Sequence, residues 1–120
     1  MTDAKPTILI VDDDPIVLAL LQKLLAATCD VLTASAGRQA IDMFQLGEDT
    51  IDIILLDLGM PGLSGYDALA ELQLLDPDVK VAIITGMDPD EERLPGVLGI
   101  LGKPFRPSEV AEFVRQVMQV

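Results

Sequence analysis

Two short apolar runs in this chain end in carboxylate. Ile8-Leu9-Ile10-Val11 leads into Asp12-Asp13-Asp14, and Ile53-Ile54-Leu55-Leu56 leads into Asp57. A further run through Ile84 delivers Thr85, and Ile100-Leu101 is followed closely by Lys103. Gathered carboxylates suit a hard, oxygen-preferring cation such as Mg²⁺. A carboxylate can also act as a nucleophile towards a phosphoryl group, giving an aspartyl-phosphate. A Thr hydroxyl and a Lys ammonium can then hold the remaining phosphoryl oxygens. Two carboxylates about 4 Å apart repel by roughly 4 kcal/mol at an effective dielectric of 20. A cluster of three therefore requires a proton or a cation, and Lys103 offsets only part of the charge. The chain has no His. That excludes a Ser-His or Cys-His nucleophile pair, a His-ligated zinc and a phosphohistidine carried by this chain.

Such residues meet only if the strands that carry them are parallel, so that every C-terminal end points to one edge of the sheet, where open α/β folds bind ligands. The pattern supports this. Thr7 to Val11 is a first strand. Asp14-Pro15 reads as an N-cap and first-turn proline, opening a helix to about Ala27 with Val17, Leu20, Leu21 and Leu24 on one face. A second strand runs from Asp30 to Ala34. Ala40, Ile41 and Phe44 mark a helix from Gly37 to Leu46 that stops at Gly47. Ile51 to Leu56 is a third strand, and Asp57 to Gly65 a loop. Ser64 caps a helix reaching Leu75, with Leu69 and Leu72 inward, before Asp76-Pro77 breaks it. Val79 to Ile84 is a fourth strand and Ile100-Leu101 a short fifth. Between them Glu91 to Leu94 starts a helix that Pro95-Gly96 cuts short. Val110, Phe113, Val114 and Val117 mark a last amphipathic helix. Strand and helix alternate five times, which predicts an α/β domain spanning residues 1–120, a parallel sheet with helices on both faces joined by right-handed crossovers.

The bulk properties agree. A chain of 120 residues is long enough for a core without staples, half of it is hydrophobic, and aromatics make up only 3%. Eight basic against twenty acidic residues give a net charge of −12, which disfavours direct contact with nucleic acid or an anionic membrane and favours divalent cations and basic partner surfaces. The single Cys29 forms no internal disulfide and fits a reducing, cytoplasmic setting as a small buried residue. The first residues lack a hydrophobic signal core, and no apolar stretch approaches the roughly 20 residues of a membrane span.

Each residue also has an ordinary explanation. Asp12 and Asp13 suit a turn before a helix, and Asp14 is fully explained as an N-cap. Asp57 followed by Gly-Met-Pro-Gly suits a turn, Thr85 a strand and Lys103 a surface. The leucine stripes are core, and Asp88, Asp90, Glu91 and Glu92 form a solvated acidic face. What argues against the ordinary readings is the arrival of Asp12, Asp13, Asp57, Thr85 and Lys103 at successive strand ends. Gly86 fits as well, since a large side chain there would crowd an incoming phosphoryl group.

Ile8 to Pro15, Leu55-Leu56-Asp57-Leu58-Gly59-Met60-Pro61-Gly62, Ile84-Thr85-Gly86 and Lys103-Pro104-Phe105 resemble, in order along essentially the whole chain, the response-regulator receiver domain of two-component signalling. The resemblance implies a flavodoxin-like doubly wound sheet of strand order 2-1-3-4-5. It implies Asp57 as phosphoacceptor for the phosphohistidine of a histidine kinase or phosphotransfer protein. Asp12, Asp13, Asp57 and the Gly59 carbonyl would hold Mg²⁺, Thr85 and Lys103 would contact the phosphoryl group, and the Lys103-Pro104 bond would be cis. Such a domain catalyses only its own phosphorylation and dephosphorylation.

The chain departs from the family in two places. Ile100 stands where receivers commonly carry an aromatic, three residues before the lysine, so the usual coupling of Thr to a swinging ring has no ring. The interval from Thr85 to Lys103 is 103 − 85 = 18 positions, shorter than usual, which leaves the fourth helix short or irregular. In the family, positions such as Gly59 and Met87 tune dephosphorylation. One rival reading is a pseudo-receiver, an interaction module that never uses its acids. Another is a Mg²⁺-dependent phosphohydrolase, which needs a general acid near the nucleophile, commonly two positions on, where this chain has Gly59.

Overall fold

In a computed structural model, residues 5–47 and 50–118 are described. The elements follow as β1 (Thr7–Val11), α1 (Pro15–Leu25), β2 (Asp30–Ala34), α2 (Gly37–Gly47), β3 (Ile53–Asp57), α3 (Gly65–Leu75), β4 (Val81–Thr85), a 3-10 turn (Glu91–Arg93), β5 (Ile100–Gly102) and α4 (Pro107–Val117). The strands form one parallel sheet in the order β2-β1-β3-β4-β5. This is the flavodoxin-like arrangement expected. Where the fourth helix was expected to be short or irregular, the described residues form only the 3-10 turn, so α4 is the C-terminal helix.

The period of two along each strand divides the core between two layers. Leu9, Val11, Ile54, Leu56, Val81 and Ile83 face α2 and α3, meeting Ala40, Ile41, Phe44, Ala68, Leu69 and Leu72. Ile8, Ile10, Ile53, Leu55, Ala82 and Ile84 face the other way, against Leu21 and Leu25 of α1 and Val110, Val114 and Val117 of α4. Cys29 is buried in this second layer, where burial pushes its thiol pKa up. It behaves as a small hydrophobe. β3 and β4 are buried at every position, which is why their sequences read as unbroken apolar runs.

The helix starts follow from capping. The Asp14 carboxylate accepts the Ile16 N–H at 2.9 Å, and Pro15 occupies the first helical position, where no N–H is needed. Ser64 Oγ accepts the Asp67 N–H at 3.2 Å to open α3.

Several boundaries shift by two residues. Ile51 and Val79 are drawn into turns, their N–H groups donating to Gly47 and Asp76 carbonyls, so β3 and β4 begin later than the apolar runs suggest. At the other end, pairing of Asp57 with Ile84 and of Thr85 with Gly102 carries both residues into the strands. Helix α1 closes at Leu25 rather than Ala27, and the Leu25 carbonyl accepts from both Thr28 and Cys29.

One glycine is dictated by close approach. A Cβ on Gly65 would lie 2.4 Å from the Asp57 carbonyl oxygen and 2.5 Å from Leu58 Cα. Helix α3 thus starts directly against the backbone that carries Asp57. Gly65→Ala is expected to destabilise the fold by about 3 kcal/mol, read as a lower urea midpoint at unchanged slope.

Candidate functional site

The turn after β1 places Asp12 and Asp13, the end of β3 places Asp57, the end of β4 places Thr85, and the turn after β5 places Lys103. All five, with Asp14, Gly59, Gly86 and Met87, line one open cleft of about 400 Å³ at the carboxyl edge of the sheet. Asp12, Asp57 and Thr85 are 2%, 5% and 2% exposed, and among the described residues they are the buried polar side chains. Asp13 is exposed.

Carboxylate oxygens of Asp12, Asp13 and Asp57 lie within 4.8 Å of one another. At that separation each charged pair repels by roughly 3 kcal/mol at an effective dielectric of 20. Lys103 relieves part of this. Its Nζ donates to Asp12 Oδ2 at 2.6 Å and lies 3.7 Å from Asp57 Oδ2. The lysine is fixed from the backbone side as well, its N–H donating to the Thr85 carbonyl at 2.8 Å. The Lys103-Pro104 bond is cis, as the resemblance implied.

Two backbone groups complete the carboxylate geometry. Asp12 Oδ1 accepts the Asp14 N–H at 2.9 Å, and Asp57 Oδ1 accepts the Gly59 N–H at 3.3 Å. Burial raises the Asp57 pKa above the ordinary carboxylate value, and the Asp12 charge adds to this, against the opposing pull of Lys103 and the Gly59 N–H. Burial works against the Lys103 ammonium, yet the hydrogen bond and charge of Asp12, with Asp57 and Asp13, outweigh it and raise its pKa.

The donor set fits Mg²⁺. Three carboxylates meet at one point with no nitrogen or sulfur ligand among them, an arrangement suited to a small hard dication. Gly59 has no side chain to obstruct the cleft, and a Cβ there would meet only the Met87 methyl at 4.0 Å. At Gly86 a Cβ would touch the Lys103 side chain at 3.7 Å, so a larger group would press on the lysine.

Residues 8–115 match the family model of the response regulator receiver domain. The chain belongs to the response-regulator receiver family. A probable transcriptional regulator ycf27 of Guillardia theta is 32% identical over 122 residues, covering 98% of this chain and 47% of the relative. The chemotaxis protein CheY of Thermotoga maritima is 29% identical over 116 residues, covering 92% of this chain and 95% of its own. Among solved structures, a receiver domain from Clostridium thermocellum superposes with a TM-score of 0.85 at 28% identity, covering 95% of this chain and 94% of the other. The chemotaxis protein CheY4 of Vibrio cholerae does so with 0.85 at 25% identity, covering 95% and 99%. The receiver spans about half the length of the first curated relatives it matches, at 47% and 49%.

Sequence reasoning brought the five side chains to one place and assigned Asp14 to the helix cap, and the receiver's geometry agrees on both. It underrated the segment after Thr85. The Met87 N–H donates to Thr85 Oγ1 at 3.1 Å, which ties the start of the irregular segment to a side chain of the cleft. The Ser/Thr turn that produces this bond carries no sequence signal beyond Thr followed by Gly.

The raised Asp57 pKa has a definite sign. The folded state binds this proton more tightly than the unfolded chain, so the contribution is favourable below the ordinary carboxylate range. It is lost as pH rises through the unfolded value to the raised folded one. Asp57→Asn removes the charge with little change of shape. In metal-free buffer at neutral pH it is expected to melt a few degrees above wild type by calorimetry, with the gap closing towards pH 4.

Proposed function

We propose that Asp57 accepts a phosphoryl group from a phosphohistidine on a histidine kinase or phosphotransfer protein, in a Mg²⁺-dependent reaction, and that the resulting conformational change signals a downstream partner or a fused output domain. The observation that carries this reading is the meeting of Asp12, Asp13 and Asp57 oxygens within 4.8 Å, spanned by the Lys103 ammonium.

An Asp57 oxygen attacks phosphorus in line as the phosphorus–nitrogen bond to the donor imidazole breaks, and the imidazole leaves with that electron pair and takes up a proton. Asp12 and Asp13, with Asp57 and the Gly59 carbonyl, would hold Mg²⁺. The ion, when bound, neutralises charge on the phosphoryl oxygens and the nucleophile. Lys103 sits close enough to Asp57 to turn its ammonium from Asp12 towards a phosphoryl oxygen. Thr85 offers its hydroxyl from the end of the adjacent strand, already held in place by its bond from Met87. A receiver of this kind is a signalling domain rather than a classical enzyme, since no external product is turned over. The sheet edge that carries the acids is open to a partner's imidazole, and a cytoplasmic setting follows from the kinase partner.

Incubation with Mg²⁺ and acetyl phosphate is expected to add about 80 Da to the intact mass of wild type and nothing to Asp57→Asn. Absence of the adduct from wild type, or phosphate release that is independent of Asp57, would favour the interaction-module or phosphohydrolase alternatives. In a separate measurement Mg²⁺ is expected to raise the melting temperature of wild type, and Asp13→Ala to abolish that rise.

A further inference from the structure

Helices α2 and α3 pack side by side on one face of the sheet, and both end at the edge where the strands begin, opposite the cleft. Each closes on exposed leucine. Leu46, in the last turn of α2, is 92% exposed, and Leu74 and Leu75, which close α3, are 84% and 40% exposed. Single surface leucines are ordinary, whereas three on neighbouring helix ends make a patch. The helical period turns Leu46 and Leu74 away from the core residues of their own helices. Between the two helices lies an open hollow of about 410 Å³, lined by Arg38, Ile41, Gln45, Glu71, Leu74 and Leu75.

The charge around this patch is one-sided. The last turns of α1 and α4 carry Lys23 and Arg115, cations that offset the negative carboxyl end of a helix dipole. The last turns of α2 and α3 carry no basic residue. The chain leaving α3 adds acid instead, since Asp76 and Asp78, with Asp52 and Lys80, line a second hollow of about 240 Å³ that reaches Phe44 of α2. Arg38 is already engaged by both oxygens of the Glu71 carboxylate, at 2.8 and 3.0 Å. Asp42 is exposed one turn before Leu46 on the same side of α2. The leucines are thus bordered by carboxylates and by two negative helix ends.

We propose that the carboxyl ends of α2 and α3 form a docking groove for a basic amphipathic helix of a partner protein. The apolar stripe of that helix covers Leu46, Leu74 and Leu75, and its Lys or Arg side chains reach Asp76, Asp78 and the two helix ends, the apolar-face-in-groove mode of recognition. Charge decides against a second copy of this chain, because a copy would set these carboxylates against their own counterparts in a molecule of net charge −12. The groove lies at the far edge of the sheet from Asp57, so docking leaves the cleft open. The inference therefore does not depend on Asp57 being the phosphoacceptor.

The test uses a helical peptide of leucine and lysine with every leucine on one face, and a second peptide of the same composition with its leucines scattered around the helix. Each is titrated into the protein while amide chemical shifts are followed by NMR. The first peptide is expected to shift residues 41–47 and 71–80 and to leave α1 and the cleft unchanged, with affinity falling as salt is raised. Joint replacement of the ridge leucines, Leu46→Ser with Leu74→Ser, is expected to weaken binding about tenfold. Asp78→Lys, which leaves the leucines in place, is expected to weaken it severalfold. Both variants alter exposed side chains and are expected to melt close to wild type. Equal binding of the scattered peptide would reduce the effect to net charge and overturn the proposal. Shifts centred on another face, or an affinity that neither variant changes, overturn it as well. So does a concentration-dependent dimer in sedimentation that the leucine variant abolishes, since the occupant is then a second copy.

Discussion

Three carboxylates converge at one edge of the sheet against their mutual repulsion, and the apolar core keeps them there. β3 is buried on both faces and β1 on all but its first residue. A slip of one position along either strand would carry the set that faces α2 and α3 over to α1 and α4. Leu9, Val11, Ile54 and Leu56 have no room on the other side, where Leu21, Leu25, Val110 and Val114 are already close-packed. Register is therefore fixed by packing on both faces, and with it the height at which Asp12 and Asp57 leave their strands. Asp12 cannot retreat into solvent without unpairing its N–H from the Ala34 carbonyl. Charge that the chain would otherwise disperse is held together by hydrophobic burial, which leaves a site whose relief comes from a cation.

The acids in Asp12-Asp13-Asp14 show how far sequence alone resolves such a site. Pro15 identifies Asp14 as a cap because a first-turn proline leaves the preceding residue extended and free to accept from the helix N-terminus. Asp12 and Asp13 differ in burial, and that difference was not legible, since both precede the same helix. It arises because Asp12 continues the inward direction of the strand and meets the Lys103 ammonium, a partner 91 residues away. Strand and helix order were legible from periodicity because buried parallel strands tolerate little except Ile, Leu, Val and Ala. The attachments of residues 87–99 to α3, where the Tyr66 hydroxyl accepts the Asp90 N–H and the Arg93 guanidinium lies over the Tyr66 ring, were not. Tyr66 reads as an ordinary first-turn residue and Arg93 as one charge in an acidic stretch. Their meeting depends on where the chain runs after Thr85, which Pro95 and Gly96 make irregular.

Lys103 explains why so short a segment must still be well anchored. The ammonium reaches the cleft from β5, a three-residue strand at the edge of the sheet. That strand pairs on one side, with β4, where Ile83, Ile84 and Thr85 match Ile100, Leu101 and Gly102. An edge strand of this length contributes little pairing energy of its own. Its position is secured instead by what precedes and follows it. Leu98 N–H donates to the Val81 carbonyl and Ile83 N–H to the Gly99 carbonyl before the strand begins, and Phe113 of α4 packs within 3.0 Å of where a Gly99 Cβ would stand.

A full helix between β4 and β5 would anchor β5 by covering it with an apolar face. Here Leu94 supplies the buried contact and α3 supplies polar tethers, so the same job is divided between one hydrophobic plug and several exposed polar contacts. These differ in exposure. The plug is buried and shared with Leu69 and Leu72, so it holds β5 and Lys103 in place. The tethers nearest Thr85 are exposed and separable from it. The polar tethers are exposed, so the burial of Leu94 carries most of what holds the run into β5 and Lys103.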